Sequence, residues 1–271
     1  MEQTLAKPAL SAKLRSKVLW ALAVCVYGSG DAQRLETVAE EGVALSRQAK
    51  DRVGEARTLG VLGFAALMRG ELDRAARILE EALEIFRELG DAWASAHILT
   101  HLAVVPLRQG EYSRAASYAE EALSLSRRTG DGFAANISLN LLAQAAWASG
   151  EHRRADRYLR EALAIAHEMR DRMDAAYCMH GLAALAGERG EQQRAARMLG
   201  AAEALLETAG TPFRALDDHE LHQRAVSGVR QQLEERVWRT AWGEGRAMAF
   251  DDAVAYALEE TSRLAPPTIV P

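Results

Sequence analysis

Gly30, Gly70, Gly110, Gly150 and Gly190 stand forty residues apart, and Asp51, Asp91, Asp131 and Asp171 keep the same interval. The text between them repeats as well. RGELDRAARILEEALEIFRELGD, from Arg69 to Asp91, returns as QGEYSRAASYAEEALSLSRRTGD up to Asp131 and as SGEHRRADRYLREALAIAHEMRD up to Asp171. It fades into RGEQQRAARMLGAAEALLETAG, which ends at Gly210. A period of this length means one supersecondary unit copied and stacked. Each glycine follows an apolar-periodic segment and suits a left-handed helix stop. Each aspartate precedes the next such segment, where its carboxylate can cap free N–H groups and meet the positive end of the helix dipole. The punctuation therefore predicts two long helices per repeat.

Within the second helix of the quoted unit, Ala75, Leu79, Ala82, Leu83 and Phe86 fall on one helical stripe, and Arg74, Arg77, Glu80, Glu81 and Glu84 take the other faces. The first helix carries a similar stripe of Leu59, Leu62, Gly63 and Ala66. Gly63, Ala75 and Ala82, with Ala103, Ala115, Ala122, Ala143, Ala155 and Ala162 in the same registers, let helix backbones approach closely. One helix pair cannot bury such stripes alone, so stability has to come from neighbours along one axis.

The order Leu62-Gly63, Ala66, Gly70, Ala75, Leu79, Ala82-Leu83 resembles the tetratricopeptide repeat (TPR), and the resemblance runs from about Leu14 to Gly210. The usual period of that family is ~34 residues; here the extra residues lie between Ala82 and Leu99 and lengthen the helices around the Asp91 turn. The resemblance implies an all-α, right-handed superhelical TPR-like solenoid of about five helix pairs, with units near 11–50, 51–90, 91–130, 131–170 and 171–210. Residues 211–262 are expected to cap it with further helices, and 1–10 and 263–271 to be flexible ends.

Composition excludes several functions. Of 271 residues, 49% are hydrophobic and 26% charged, which suits a folded soluble chain. The 33 Lys and Arg are interleaved with 38 Asp and Glu for a net charge of -5, so no basic patch marks direct nucleic-acid binding. Cys25 and Cys178 lie too far apart in sequence for a CxxC pair, which fits a reducing cytoplasm. Lys13, Arg15 and Lys17 before VLWALAVCV imitate a signal peptide, yet Leu19, Leu22 and Ala23 occupy the repeat registers of Leu59, Leu62 and Gly63 and read as an ordinary repeat helix. No apolar run approaches the ~18 residues of a membrane span.

Catalysis has no visible foothold. His97 and His101 are one helical turn apart but have no HExxH glutamate and no third ligand nearby. Asp217, Asp218, His219, Glu220 and His222 form the densest ligand-type cluster and also read as the polar first turn of a helix. His167-Glu168 lacks a second histidine, Gly28-Ser29-Gly30 lacks the rest of a dinucleotide fingerprint, and neither GxSxG nor GxxxxGK[ST] occurs. Neither a metal nor a cofactor is expected.

What the resemblance offers instead is a concave groove lined by the first helices. Its positions map onto Trp20 and Tyr27 with Lys17, then Arg57 and Phe64, then His97, Thr100 and Arg108. They continue as Asn140, Gln144 and Trp147 and end at Tyr177 and His180. Aromatic rings mixed with hydrogen-bonding groups suit recognition of a protein, peptide or small effector. Pro106 inside its helix should bend that helix. The tail from Thr211, with LDDHELHQRAVSGVRQQLEERVWRTAWGEGRAM and FDDAVAYALEE, resembles the region after the repeats in bacterial LuxR-type and MalT-like transcriptional regulators. A sensing segment of such a regulator is the reading this implies. A free-standing scaffold that self-associates through its ends or C-terminal helices, with Trp238 and Trp242 at helical spacing and a possible homodimer, is the alternative.

Overall fold

The computed structural model describes residues 31–209 and 227–259. The described residues are helical throughout apart from turns, with no strand among them, and they form a TPR-like solenoid of successive antiparallel helix pairs. In chain order the helices are α1 (Ala32–Gln48), α2 (Arg52–Met68), α3 (Leu72–Glu88), α4 (Ala92–Gln109), α5 (Tyr112–Thr129) and α6 (Gly132–Ala148). There follow α7 (His152–Glu168), α8 (Arg172–Glu188), α9 (Gln192–Ala209), α10 (Glu235–Arg246) and α11 (Phe250–Leu258). They divide into two units, residues 31–158 and residues 159–209 with 227–259, and the break falls inside α7.

The capping expectation holds wherever it can be seen. The side chains of Asp51, Asp91, Asp131 and Asp171 accept hydrogen bonds from the N–H groups of Gly54, Ala94, Ala134 and Asp174 at 2.9–3.1 Å. Gly70, Gly110, Gly150 and Gly190 have φ between 75° and 82°, the left-handed region that a helix stop requires. A second left-handed register precedes each capping aspartate. Gly90 and Gly130 fill it with φ of 69° and 72°, whereas Lys50 and Arg170 adopt the same region at 54° and 56° despite carrying a Cβ.

In the first unit α2 packs on α3 and α4 on α5, each second helix packs on the next first helix, and consecutive first helices also touch. The stripe Ala75, Leu79, Ala82, Leu83 and Phe86 is buried while Arg77, Glu80, Glu81 and Glu84 face solvent. The first helices differ. Eleven residues of α2 and eleven of α4 are buried, so these helices are enclosed on most sides and show no simple apolar face. Helix α4 continues through buried Pro106, whose carbonyl accepts from the N–H of Glu111 at 2.8 Å. On the outer side, Arg74, Arg114 and Arg154 reach back to Glu40, Glu80 and Glu120 at 3.2, 4.0 and 3.2 Å, while Arg47 and Arg87 reach forward to Glu81 and Glu121 at 2.5 and 2.6 Å. Exposed pairs of this kind contribute roughly 0–1 kcal/mol each, so their main effect is to hold neighbouring second helices in register.

In the second unit α10 and α11 pack on the last helix pair. Trp238 is buried, and the Trp242 indole donates to Glu203 at 2.9 Å beneath the Arg246 guanidinium, 4.8 Å from the ring centre. Arg246 also holds both oxygens of Glu207, at 3.0 and 2.6 Å. Both tryptophans thus serve packing inside this unit. Gly200 on α9 and Gly245 on α10 face one another's backbones: a Cβ on Gly200 would overlap the Trp242 carbonyl, and one on Gly245 the Arg197 carbonyl. Asp251 accepts from Arg170 and lies 2.7 Å from His167 Nε2, and the Phe250 ring sits against His167, Arg170 and Arg172. Arg160 and Arg194 donate to the last carbonyls of α11, those of Leu258 and Tyr256, satisfying groups that a helix end leaves unpaired.

Candidate functional site

Trp20, Tyr27 and Lys17 lie outside the described residues, as does the cluster from Asp217 to His222. In the unit 31–158 the remaining predicted positions divide by depth. Arg57 and Arg108 are exposed, His97, Asn140, Gln144 and Trp147 are half-buried, and Phe64 and Thr100 are buried. In the second unit Tyr177 on α8 is half-buried and His180 is buried. The accessible residues are Arg57 on α2, His97 and Arg108 on α4, eleven residues or about three turns apart, and Asn140, Gln144 and Trp147 on α6 at spacings of four and three, so those of α4 and of α6 each keep to one face of their helix.

Arg108, Asn140 and His97 of that line are each positioned by a neighbour. Arg108 Nη1 donates to the Leu67 carbonyl at the end of α2, 2.9 Å away, beside the Gly70 N–H that the same carbonyl accepts, which ties the guanidinium to the preceding repeat. Asn140 Nδ2 donates to the backbone and side-chain oxygens of Asn136 at 3.0 and 2.9 Å, one turn earlier. His97 Nε2 lies 2.8 Å from Asp131 Oδ2, while the other oxygen of that carboxylate caps α6. The Trp93 and Phe133 rings flank the imidazole, with centroids 4.3 and 6.1 Å away. Thr100 turns its hydroxyl back to the His97 carbonyl at 2.7 Å, which leaves it a structural part of the wall. Phe64 packs with Leu35 and Ala65 over Val38, Val61 and Met68.

His101 was not among the predicted contacts, although it lies one turn beyond His97 on the same line. Its ring lies tilted against Phe64, the centroids 5.2 Å apart, and its Nδ1 is enclosed with no hydrogen-bond partner among the described residues. Burial, with His97 adding to it, pushes its pKa from 6.5 down to about 4. The folded chain therefore refuses a proton that the unfolded chain accepts below pH 6.5. Stability should fall as pH drops from about 6.5 towards 4, by up to about 3 kcal/mol, and be unaffected by this group above that window. Glu71 and Asp251, whose pKa values are held down by Arg74 and Arg170, lose their contributions as pH falls through the ordinary carboxylate pKa towards their lowered ones. Urea unfolding at pH 7 and pH 4.8 should show a loss that His101→Leu reduces; an equal loss in both chains would refute this origin.

Among the described residues no group of three or more His, Cys, Asp or Glu side chains could hold a metal ion, and Cys178 is buried. None of the described helices is long and apolar enough to cross a membrane. The surface offers a polar and aromatic line for non-covalent contact.

A family model described as tetratricopeptide repeat matches residues 14–88 and 94–168, more than half of the chain. The chain belongs to the tetratricopeptide repeat family. No curated protein matches by sequence. Solved TPR structures share the fold at low identity. A putative kinesin light chain with nearly identical TPR-like repeats from Podosopora anserina is 20% identical with a TM-score of 0.55, over 74% of this chain and 98% of that one. A STAND signal-transduction ATPase with a TPR sensor from Pyrococcus horikoshii is 17% identical with a TM-score of 0.64, over 89% of this chain but 37% of that one. A Rap protein in complex with competence and sporulation factor is 11% identical with a TM-score of 0.64, over 91% and 74% of the two chains. At these identities the likeness concerns the TPR fold alone.

Proposed function

We propose that this TPR chain is a non-catalytic binding module that takes a protein segment or peptide along the exposed line of its first helices, as the sensing or interaction segment of a bacterial transcriptional regulator. TPR repeats suggest a protein-binding or sensor role. The observation that carries the reading is the contrast within α2, α4 and α6. These helices are enclosed on most sides, yet the side they leave open carries Arg57, His97, Arg108, Asn140, Gln144 and Trp147 where a merely structural surface would need none of them. Arg108 and Asn140 are held by neighbours before any ligand arrives, which lowers the entropy lost on binding.

The STAND ATPase with its TPR sensor and the Rap protein with its bound factor support a sensing role by analogy of fold. A ligand that bound one arrangement of the repeats more tightly than another would shift the equilibrium between them and so act on attached domains. Panning a random-peptide display library on the full chain and titrating the selected peptides by calorimetry tests the reading. Arg57→Ala and Trp147→Ala should each weaken selected peptides about tenfold, in the range of a contact residue. Peptides that bind both variants as well as the parent chain would remove the first-helix line as the site.

A further inference from the structure

The exposed large hydrophobics among the described residues are Val53, Leu89, Trp93, Phe133 and Met169. Every one stands two residues before or two residues after a capping aspartate, at the turn from a second helix to the next first helix. Isolated exposed apolar side chains are ordinary; confinement to one register is not. That register belongs to the residues that lengthen these repeats beyond the usual period of ~34. Arg69, Gly70 and Glu71, and likewise Gln109, Gly110 and Glu111, make the opposite turns polar.

In the unit 31–158 this rim is a connected surface. Trp93 is 53% exposed and Phe133 39%, and the His97 ring bridges them across two repeats. The carboxylates of the rim are already engaged: Asp51, Asp91 and Asp131 cap helices, Asp131 also meets His97, and Glu88 pairs with Arg52 at 2.7 Å. The Asp131 side chain is only 9% exposed. By contrast Lys50, three residues before Val53, and Arg128, five before Phe133, have no carboxylate partner among the described residues. The rim is thus apolar and aromatic, with surplus positive charge at both ends.

We infer that this rim, which adjoins the first-helix line at His97 but centres on Trp93 and Phe133, is a second docking surface, and that its occupant is an acidic amphipathic segment of a partner protein. Apolar side chains of the segment would cover Trp93, Phe133 and Val53, and its carboxylates would face Lys50 and Arg128. A second copy of this chain would bring the same cations face to face. An anionic lipid surface would have to desolvate the capping aspartates interleaved with the apolar side chains.

The test uses the full chain and the same random-peptide display library. Selected peptides should include acidic ones with apolar residues at helical spacing, whose affinity falls tenfold or more in Trp93→Ser and in Lys50→Glu/Arg128→Glu but is retained in Trp147→Ala. Raising salt or replacing the peptide carboxylates by amides should weaken them likewise. If no selected peptide depends on Trp93, or if the dependent ones are neutral or basic, the inference fails while the first-helix reading stands or falls on Trp147→Ala and Arg57→Ala. Sedimentation velocity showing Trp93-dependent self-association, or Trp93-dependent co-sedimentation with phosphatidylserine vesicles, would overturn it in favour of those occupants. Circular dichroism of each variant separates lost binding from lost folding.

Discussion

Gly245→Ala is expected to lift α10 off α9 and to cost the second unit about 3 kcal/mol, the upper part of the usual overpacking range. The added methyl would fall on the Arg197 carbonyl, and backbone cannot rotate aside as a side chain can. Gly200→Ala should do the same from the other side, against the Trp242 carbonyl. Alanine is favoured over glycine in a helix by about 1 kcal/mol, so a loss is seen against a local gain. Gly243→Ala, on the same helix with nothing near its Cβ, is the control and should be neutral or mildly stabilising. Chemical denaturation with hydrogen exchange on the α10 amides reads the effect. Equal behaviour of Gly243→Ala and Gly245→Ala would show that the close crossing is not a constraint.

Phe64→Ala should cost the first unit about 3–5 kcal/mol, as truncation of a buried aromatic does. The ring is 2% exposed, packs on Leu35, and forms one wall of the His101 environment. The cavity would also admit water to His101, so the acid sensitivity of the variant should shrink together with its stability. Phe64→Leu, which refills most of the space, should lose far less. Urea titrations of the three chains at pH 7 decide the matter, and a change below about 1 kcal/mol for the alanine variant would mean that the wall collapses to refill the space.

The difference between these two sites shows what the sequence could carry. Helix bounds were legible because Gly70, Gly110 and Gly150 break the chain with a backbone that other residues resist, and Asp91 and Asp131 announce the next start. The second helices were legible because only one face of α3 is apolar. The first helices were not, since AWASAHILTHLAVVPLRQ is apolar on nearly every side and gives no direction. That is why a line drawn by family register mixed exposed Arg57 and Arg108 with buried Phe64 and Thr100. Gly200 and Gly245 carried a faint signal, a glycine inside each of two helices, but only their mutual approach explains it. The rim escaped notice because Val53, Trp93 and Phe133 are different residues in one register, and a pattern search follows identity more readily than exposure.

The ion pairs from Arg74 to Glu40, Arg114 to Glu80 and Arg154 to Glu120 make the seam between second helices mechanically unlike the seam between first helices. Hydrocarbon contact is not screened by dissolved ions, whereas solvent-exposed charge pairs slacken as the Debye length shortens. Raised ionic strength should therefore loosen the pairs between second helices of the first unit while leaving the packing of its first helices in place.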